Sequence, residues 1–149
     1  MKIPFIEKFP TLERYAEYEF CRHGSKESAS AATKDDLVSF ALEYNLDFSK
    51  SKISKSELYH LIIDQIGLEA LLERFKLGII TYRWQEKFDI SSSDLRKLAK
   101  KGVVTIVGQV EINGSSGRYK ANLYDARQFY QYSAVELKEL QSSAESPLL

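Results

Sequence analysis

Around Gly102 the hydrophobic period of this chain changes from that of a helix to that of a strand. Before it, apolar residues recur every three or four positions. After it, Val104, Ile106, Val110 and Ile112 alternate with Thr105, Gln109 and Glu111, the pattern of a half-buried strand. Gly108 interrupts the alternation and is expected to mark a bulge. Asn113–Gly117 reads as a hairpin loop, and Arg118–Tyr124 as the returning strand with Tyr119, Ala121 and Leu123 facing in. A chain of helices that ends in one hairpin is an α+β, mostly helical protein.

The helices are set by local punctuation. Thr11 is placed to cap Leu12–Phe20. Thr33-x-x-Asp36, Ser54-x-x-Glu57 and Ser91-x-x-Asp94 have capping-box spacing. The first box opens a helix with Leu37, Val38, Ala41, Leu42 and Tyr44 as its core stripe. The second opens one carrying Leu58, Leu61, Ile62 and Ile66, which Gly67 stops. A further helix, Leu68–Leu77, is closed by Gly78. Tyr82–Phe88 is a short helix, Asp89-Ile90 a tight turn, and Ser92–Lys101 the helix after it. Asp125 caps a last helix to about Leu140, with Gln128 at the box position. The expected divisions are 1–32 (N-terminal helix and linker), 33–78 (helical module), 79–141 (helix–turn–helix with hairpin) and 142–149 (disordered tail). Within the first, 24–32 is small and polar, a linker or a frayed helix end.

Net charge is zero, from 21 basic and 21 acidic residues, which argues against a wholly electrostatic nucleic-acid binder. The charge is unevenly spread, however. Residues 87–127 hold eight Lys/Arg against four Asp/Glu. On the Ser92–Lys101 helix, Leu95, Leu98 and Ala99 form one stripe. Ser93, Arg96, Lys97, Lys100 and Lys101 fall on the opposite face, as a helix lying between phosphate strands requires. Arg118 and Lys120 add cations on the non-core side of the hairpin, where a wing can follow the backbone or enter a minor groove. The competing reading is a solvated basic face with dipole-favoured lysines in the last turn.

Helix, tight turn, helix and hairpin is the order of a winged helix-turn-helix. The run Phe88–Gly102, followed by the hairpin and Leu123-Tyr-Asp-Ala-Arg-Gln-Phe129, resembles the winged-helix domains of the excisionase and MerR-like group over about residues 80–131. In that group a helix ending in Gly is followed by a wing and a Tyr-led helix start. The turn here carries no glycine, and Trp84 stands where the group has a small residue. The resemblance implies double-stranded DNA as partner, in transcription regulation or in a phage or mobile element. Upstream, Leu37, Leu46, Lys55, Leu58 and Ile62 resemble the spacing of SAP and Rho N-terminal-like modules over about 33–66. This implies a second contact group of Lys50, Lys52 and Lys55.

Other classes find little support. There is no Gly-rich phosphate loop and no nucleophile elbow, so the chain is expected not to be an enzyme. Cys21 is the single cysteine and His23 and His60 the only histidines, so neither a disulfide framework nor a metal or other cofactor is expected. No apolar run reaches the ~20 residues of a membrane span, and the start lacks a secretory pattern, which implies a cytoplasmic protein. The rival function is a protein–protein adaptor, through another protein or self-association, because nine tyrosines and eight phenylalanines can leave an aromatic patch exposed.

Overall fold

The computed structural model describes residues 3–24, 30–114 and 117–145. It is α+β and mostly helical, with nine helices and one three-stranded antiparallel sheet among the described residues. None of these helices is long and apolar enough to cross a membrane. The chain forms two compact units, Phe9–Lys76 and a second in which Leu77 onward joins the short helix α1 (Phe5–Lys8). The 1–32 segment is thus divided between the units, and its linker portion 25–29 lies outside the described residues.

In the first unit, α2 (Leu12–Cys21) begins at Thr11, whose Oγ1 accepts from Arg14 N at 3.2 Å. Both boxes expected at α3 (Lys34–Glu43) and α4 (Lys55–Gln65) close reciprocally. Asp36 N donates to Thr33 Oγ1 and Thr33 N to Asp36 Oδ2, each at 3.0 Å. Ser54 and Glu57 repeat the pattern at 2.9 and 3.1 Å. Phe20 of α2 stacks on Tyr59 of α4 at 5.8 Å between centroids, and Phe75 meets both Phe20 and Phe40 edge-on. Phe40 is buried in α3, while the expected stripe members Leu42 and Tyr44 are exposed. Leu42 lies off the face of Leu37 and Ala41, and Tyr44 falls past the last helical residue.

α5 (Leu68–Arg74) ends before the expected Leu77, and Gly78 does not cap it. Instead, Gly78–Ile80 forms strand β1. A Cβ on Gly78 would sit 2.7 Å from both Leu123 Cβ and Val107 Cγ2, so this glycine permits a close approach of strands.

In the second unit, α6 (Thr81–Phe88) and α7 (Ser92–Lys100) are joined by a turn in which Asp89 takes φ 51°. Asp tolerates this left-handed conformation better than most residues, which is how the turn closes without glycine. One arm of the third box forms, with Asp94 N donating to Ser91 Oγ at 3.1 Å. Gly102 follows α7 at φ 80°. β2 (Ile106–Gly114) and β3 (Gly117–Asp125) form the hairpin, and β1 pairs with the far side of β3, giving the order β1-β3-β2. Trp84 of α6 is enclosed by Phe88, Tyr124 and Phe129 at 5.2 to 5.7 Å, and its Nε1 donates to Ile79 O.

The hairpin differs from expectation in phase. Tyr124 is fully buried against Trp84, so strand alternation puts Asn122, Lys120 and Arg118 in its phase and Leu123, Ala121 and Tyr119 in the other, although Ala121 and Tyr119 also border the cleft beside α6 and α7. β1 causes the reversal, because Ile79 pairs opposite Tyr124 and both bury towards α6. From Gln109 to Lys120 all described residues are exposed except half-buried Ile112, so the outer hairpin has no core face. The bulge falls at Val107, where the register slips between Ile106 and Gly108.

The expected last helix is two. α8 (Ala126–Gln131) starts at Asp125, and α9 (Ala134–Glu145) starts at Ser133 with its own reciprocal box to Glu136, at 2.9 and 3.1 Å. Gln128 makes no box. Its Oε1 accepts from Thr105 N at 2.7 Å and its Nε2 donates to Thr105 Oγ1, fastening the start of the hairpin. Because α9 runs to Glu145, residues 142–145 are helix backbone and not tail. Residues 146–149 lie outside the described residues.

Candidate nucleic-acid interface

Helix α7 is held by Leu95 and Leu98, both buried, which turns Ser93, Arg96, Lys97 and Lys100 outward. Lys101, in the C-cap position, is also exposed. The nearest acid is Asp94, 3.9 Å from Lys97, an exposed pair that contributes little in water. Arg96, Lys100 and Lys101 make no ion pair among the described residues.

Across from α7, β3 presents Lys120 and Arg118. Arg118 is three-quarters exposed and 3.9 Å from Glu111, which itself pairs in register with Lys120. Between the helices and the hairpin lies a cleft of about 460 Å³. Tyr82 and Gln85 of α6, Ser92 and Arg96 of α7, and Gln109, Lys120 and Asn122 of the hairpin all line it. Two expected cations from different elements, Arg96 and Lys120, therefore share one cavity. Lys97, Lys100, Lys101 and Arg118 are exposed but do not line it.

The cleft has a fixed polar wall. Gln109 Nε2 donates to Asn122 Oδ1 at 3.0 Å, and Asn122 Nδ2 donates to the Tyr124 hydroxyl at 3.2 Å. Thr81 Oγ1 donates to Asn122 O at 3.0 Å and ties α6 to β3. Tyr82, Gln85, Gln109 and Asn122 lie outside the site expected from the sequence. For the first two a signal exists, since a helix that buries Trp84 and Phe88 turns Tyr82 and Gln85 away together. The amide pair depends on hairpin register, which the slip at Val107 conceals.

Not every cation of 87–127 is available. The Lys87 ammonium donates to Phe129 O and lies over the rings of Phe88 and Phe129 at 4.8 and 4.7 Å. Burial lowers its pKa. Arg127 grips the buried Asp125 carboxylate, with Nη2 at 3.1 Å from Oδ2. Both are framework.

The upstream trio divides. Lys50 and Lys52 are exposed in the loop between α3 and α4, whereas Lys55 is only 4% exposed. Its Nζ donates to Arg22 O at 2.6 Å and to Ser30 Oγ at 3.1 Å. Burial lowers its pKa, and it cannot serve as a surface phosphate contact because it is buried and spends two of its three donors on the framework.

Among the described residues no three His, Cys, Asp or Glu side chains converge as a metal site requires. Burial raises the Cys21 thiol, and a hydrogen bond to Ser56 opposes this. No family model, no curated protein and no solved structure matches this chain.

Proposed function

We propose that α6, α7 and the hairpin act as a winged helix-turn-helix that binds double-stranded DNA without catalysis, in transcription regulation or the handling of a phage or mobile element. The observation that carries this reading is the shared cleft of Arg96 and Lys120, beside the exposed Ser93, Lys97, Lys100 and Lys101. Cations on two elements that border one groove can follow a phosphate strand, and a duplex offers phosphates at that density. We place this activity in the cytoplasm. The test is a salt titration of binding to an unrelated duplex. A DNA binder loses affinity linearly on log–log axes, and absence of binding at low salt would discard the reading.

A second reading, a protein–protein adaptor, is favoured by the outer hairpin, where Val110 and Tyr119 are exposed. An adaptor would give no shift on duplex DNA at any salt concentration.

A further inference from the structure

We infer that the cleft between α6, α7 and the hairpin receives a single unpaired nucleotide. This rests on the nucleic-acid reading of α7 and the hairpin, and specifies what the cavity itself takes. Three kinds of group meet there. Arg96 and Lys120 are cations suited to a phosphate. Gln109 and Asn122 are carboxamides held in place by the bonds that link them to the Tyr124 hydroxyl. Tyr82 and Tyr119 are aromatic rings, 47% and 54% exposed, that also line the cavity.

Each ring is supported on one side. The Arg83 guanidinium lies 4.5 Å from the centroid of Tyr82. The Tyr119 ring lies along Gly114, with Cε1 3.1 Å from where a Cβ there would sit. Supported, solvent-facing rings are stacking platforms. In a paired duplex the base faces are already covered by their neighbours, so a duplex exterior offers no base face for such a ring to stack on. An unpaired base has a π-face for tyrosine and a bare Watson–Crick edge for amides.

The amide wall fits that edge. A carboxamide carries two N–H donors and one carbonyl acceptor. Gln109 spends one N–H on Asn122, which leaves its second N–H and its carbonyl oxygen to face a base. Asn122 spends one N–H on Tyr124 and retains the other. Because the internal bonds fix both groups, little side-chain freedom is lost on binding. The volume of about 460 Å³ lies in the range of sites for small organic ligands and is far too small for a duplex. A bulged, mismatched or overhanging base can enter at low cost, since it is already unstacked.

The experiment compares the full-length chain on a fully paired duplex and on the same duplex bearing one bulged 2-aminopurine. The bulged duplex should bind about tenfold tighter, with the probe's fluorescence quenched by stacking. Tyr82→Ala should abolish that preference and the quenching, and Tyr82→Phe should retain both. Tyr119→Ala provides an independent loss if Tyr82→Ala folds poorly. Equal affinity for the two duplexes with unaltered probe fluorescence overturns the inference while the duplex reading stands. Binding of the bulged duplex alone supports the inference and removes the duplex reading. Binding of neither removes both.

Discussion

The Lys55 ammonium ends on the carbonyl oxygen of Arg22, 2.6 Å away, and so joins the start of α4 to the end of α2. A buried lysine is tolerated only where its donors are satisfied, and Ser30 supplies a second acceptor. Lys55→Met keeps most of the apolar stem but leaves the Arg22 carbonyl without this donor. Stability should fall by about 1–3 kcal/mol, the usual cost of orphaning a buried polar group, read by chemical unfolding followed by circular dichroism. DNA affinity of the folded variant should match the parent. A selective loss of binding with unchanged stability would return Lys55 to the contact surface.

Lys97 and Lys100 separate contact from framework in the opposite sense. Both are exposed on α7, and the one nearby acid, Asp94, is 3.9 Å from Lys97. Changing both to Ala should weaken binding to all duplexes about equally and lower the log–log salt slope by about 2. Stability should change by no more than about 0.5 kcal/mol, as for most surface substitutions. An unaltered slope would show that α7 does not meet phosphate.

Gly78 and Gly108 both approach Leu123, but at different distances. A Cβ on Gly78 would lie 2.7 Å from Leu123 Cβ, an atom fixed to the β3 backbone, whereas on Gly108 it would lie 3.6 Å from Leu123 Cδ1. Gly78→Ala should therefore destabilise this unit by about 1–3 kcal/mol through overpacking, and Gly108→Ala by much less. Trp84 is the sole tryptophan and is buried in the same unit, so its fluorescence in a urea titration reports that unit alone. Equal losses for the two variants would contradict the close approach of β1 and β3.

The same glycine explains what was legible in the sequence. Thr33, Ser54 and Ser91 cap their helices as spacing predicts, because a cap is settled within four residues. Ser133-x-x-Glu136 carried the same local signal and marks the break between α8 and α9. β1 gave no such signal. Three residues become a strand only because β3, more than forty positions later, passes beside them. That distant pairing also sets which side of the hairpin is inward, so the phase of Arg118 and Lys120 could not be read from alternation alone. The outward face of α7 was legible because Leu95 and Leu98 fix it locally. The amide wall and the burial of Lys55 arise from tertiary packing.

His60 offers a pH test in the first unit. Its Nδ1 lies 2.8 Å from Ser56 O and its Nε2 2.7 Å from Glu17 Oε2, so both nitrogens face acceptors and the doubly protonated ring is favoured. The Glu17 hydrogen bond, then the Ser56 carbonyl, raises its pKa above the usual 6.5. A raised folded pKa gives stability that is fully present below about 6.5 and is lost as pH rises through the folded value. Both side chains are about half exposed, so the contribution should stay below about 1 kcal/mol. His60→Gln should remove the decline in stability that sets in as pH rises above about 6.5. Persistence of the same decline in the variant would assign it to another group.

The hairpin provides two substitutions of opposite sign. Arg118 and Glu111 sit 3.9 Å apart on its exposed outer part, and Glu111 also faces Lys120 across the register. If this element lies along a phosphate strand, Arg118→Ala removes one charge-assisted contact, and affinity should fall roughly 5- to 30-fold, equivalent to about 1–2 kcal/mol. Glu111→Gln does the reverse. It removes a negative charge that repels phosphate and leaves Arg118 and Lys120 with more of their field directed outward. Affinity should rise about two- to fivefold at low salt, and the gain should vanish as salt shortens the Debye length. The structural effect of Glu111→Gln is small, because an exposed ion pair at this distance contributes little to stability. Measured together in one salt series, the variants should diverge at low salt and converge at high salt. Two null results would detach the hairpin from the nucleic-acid surface and leave α7 to bind alone.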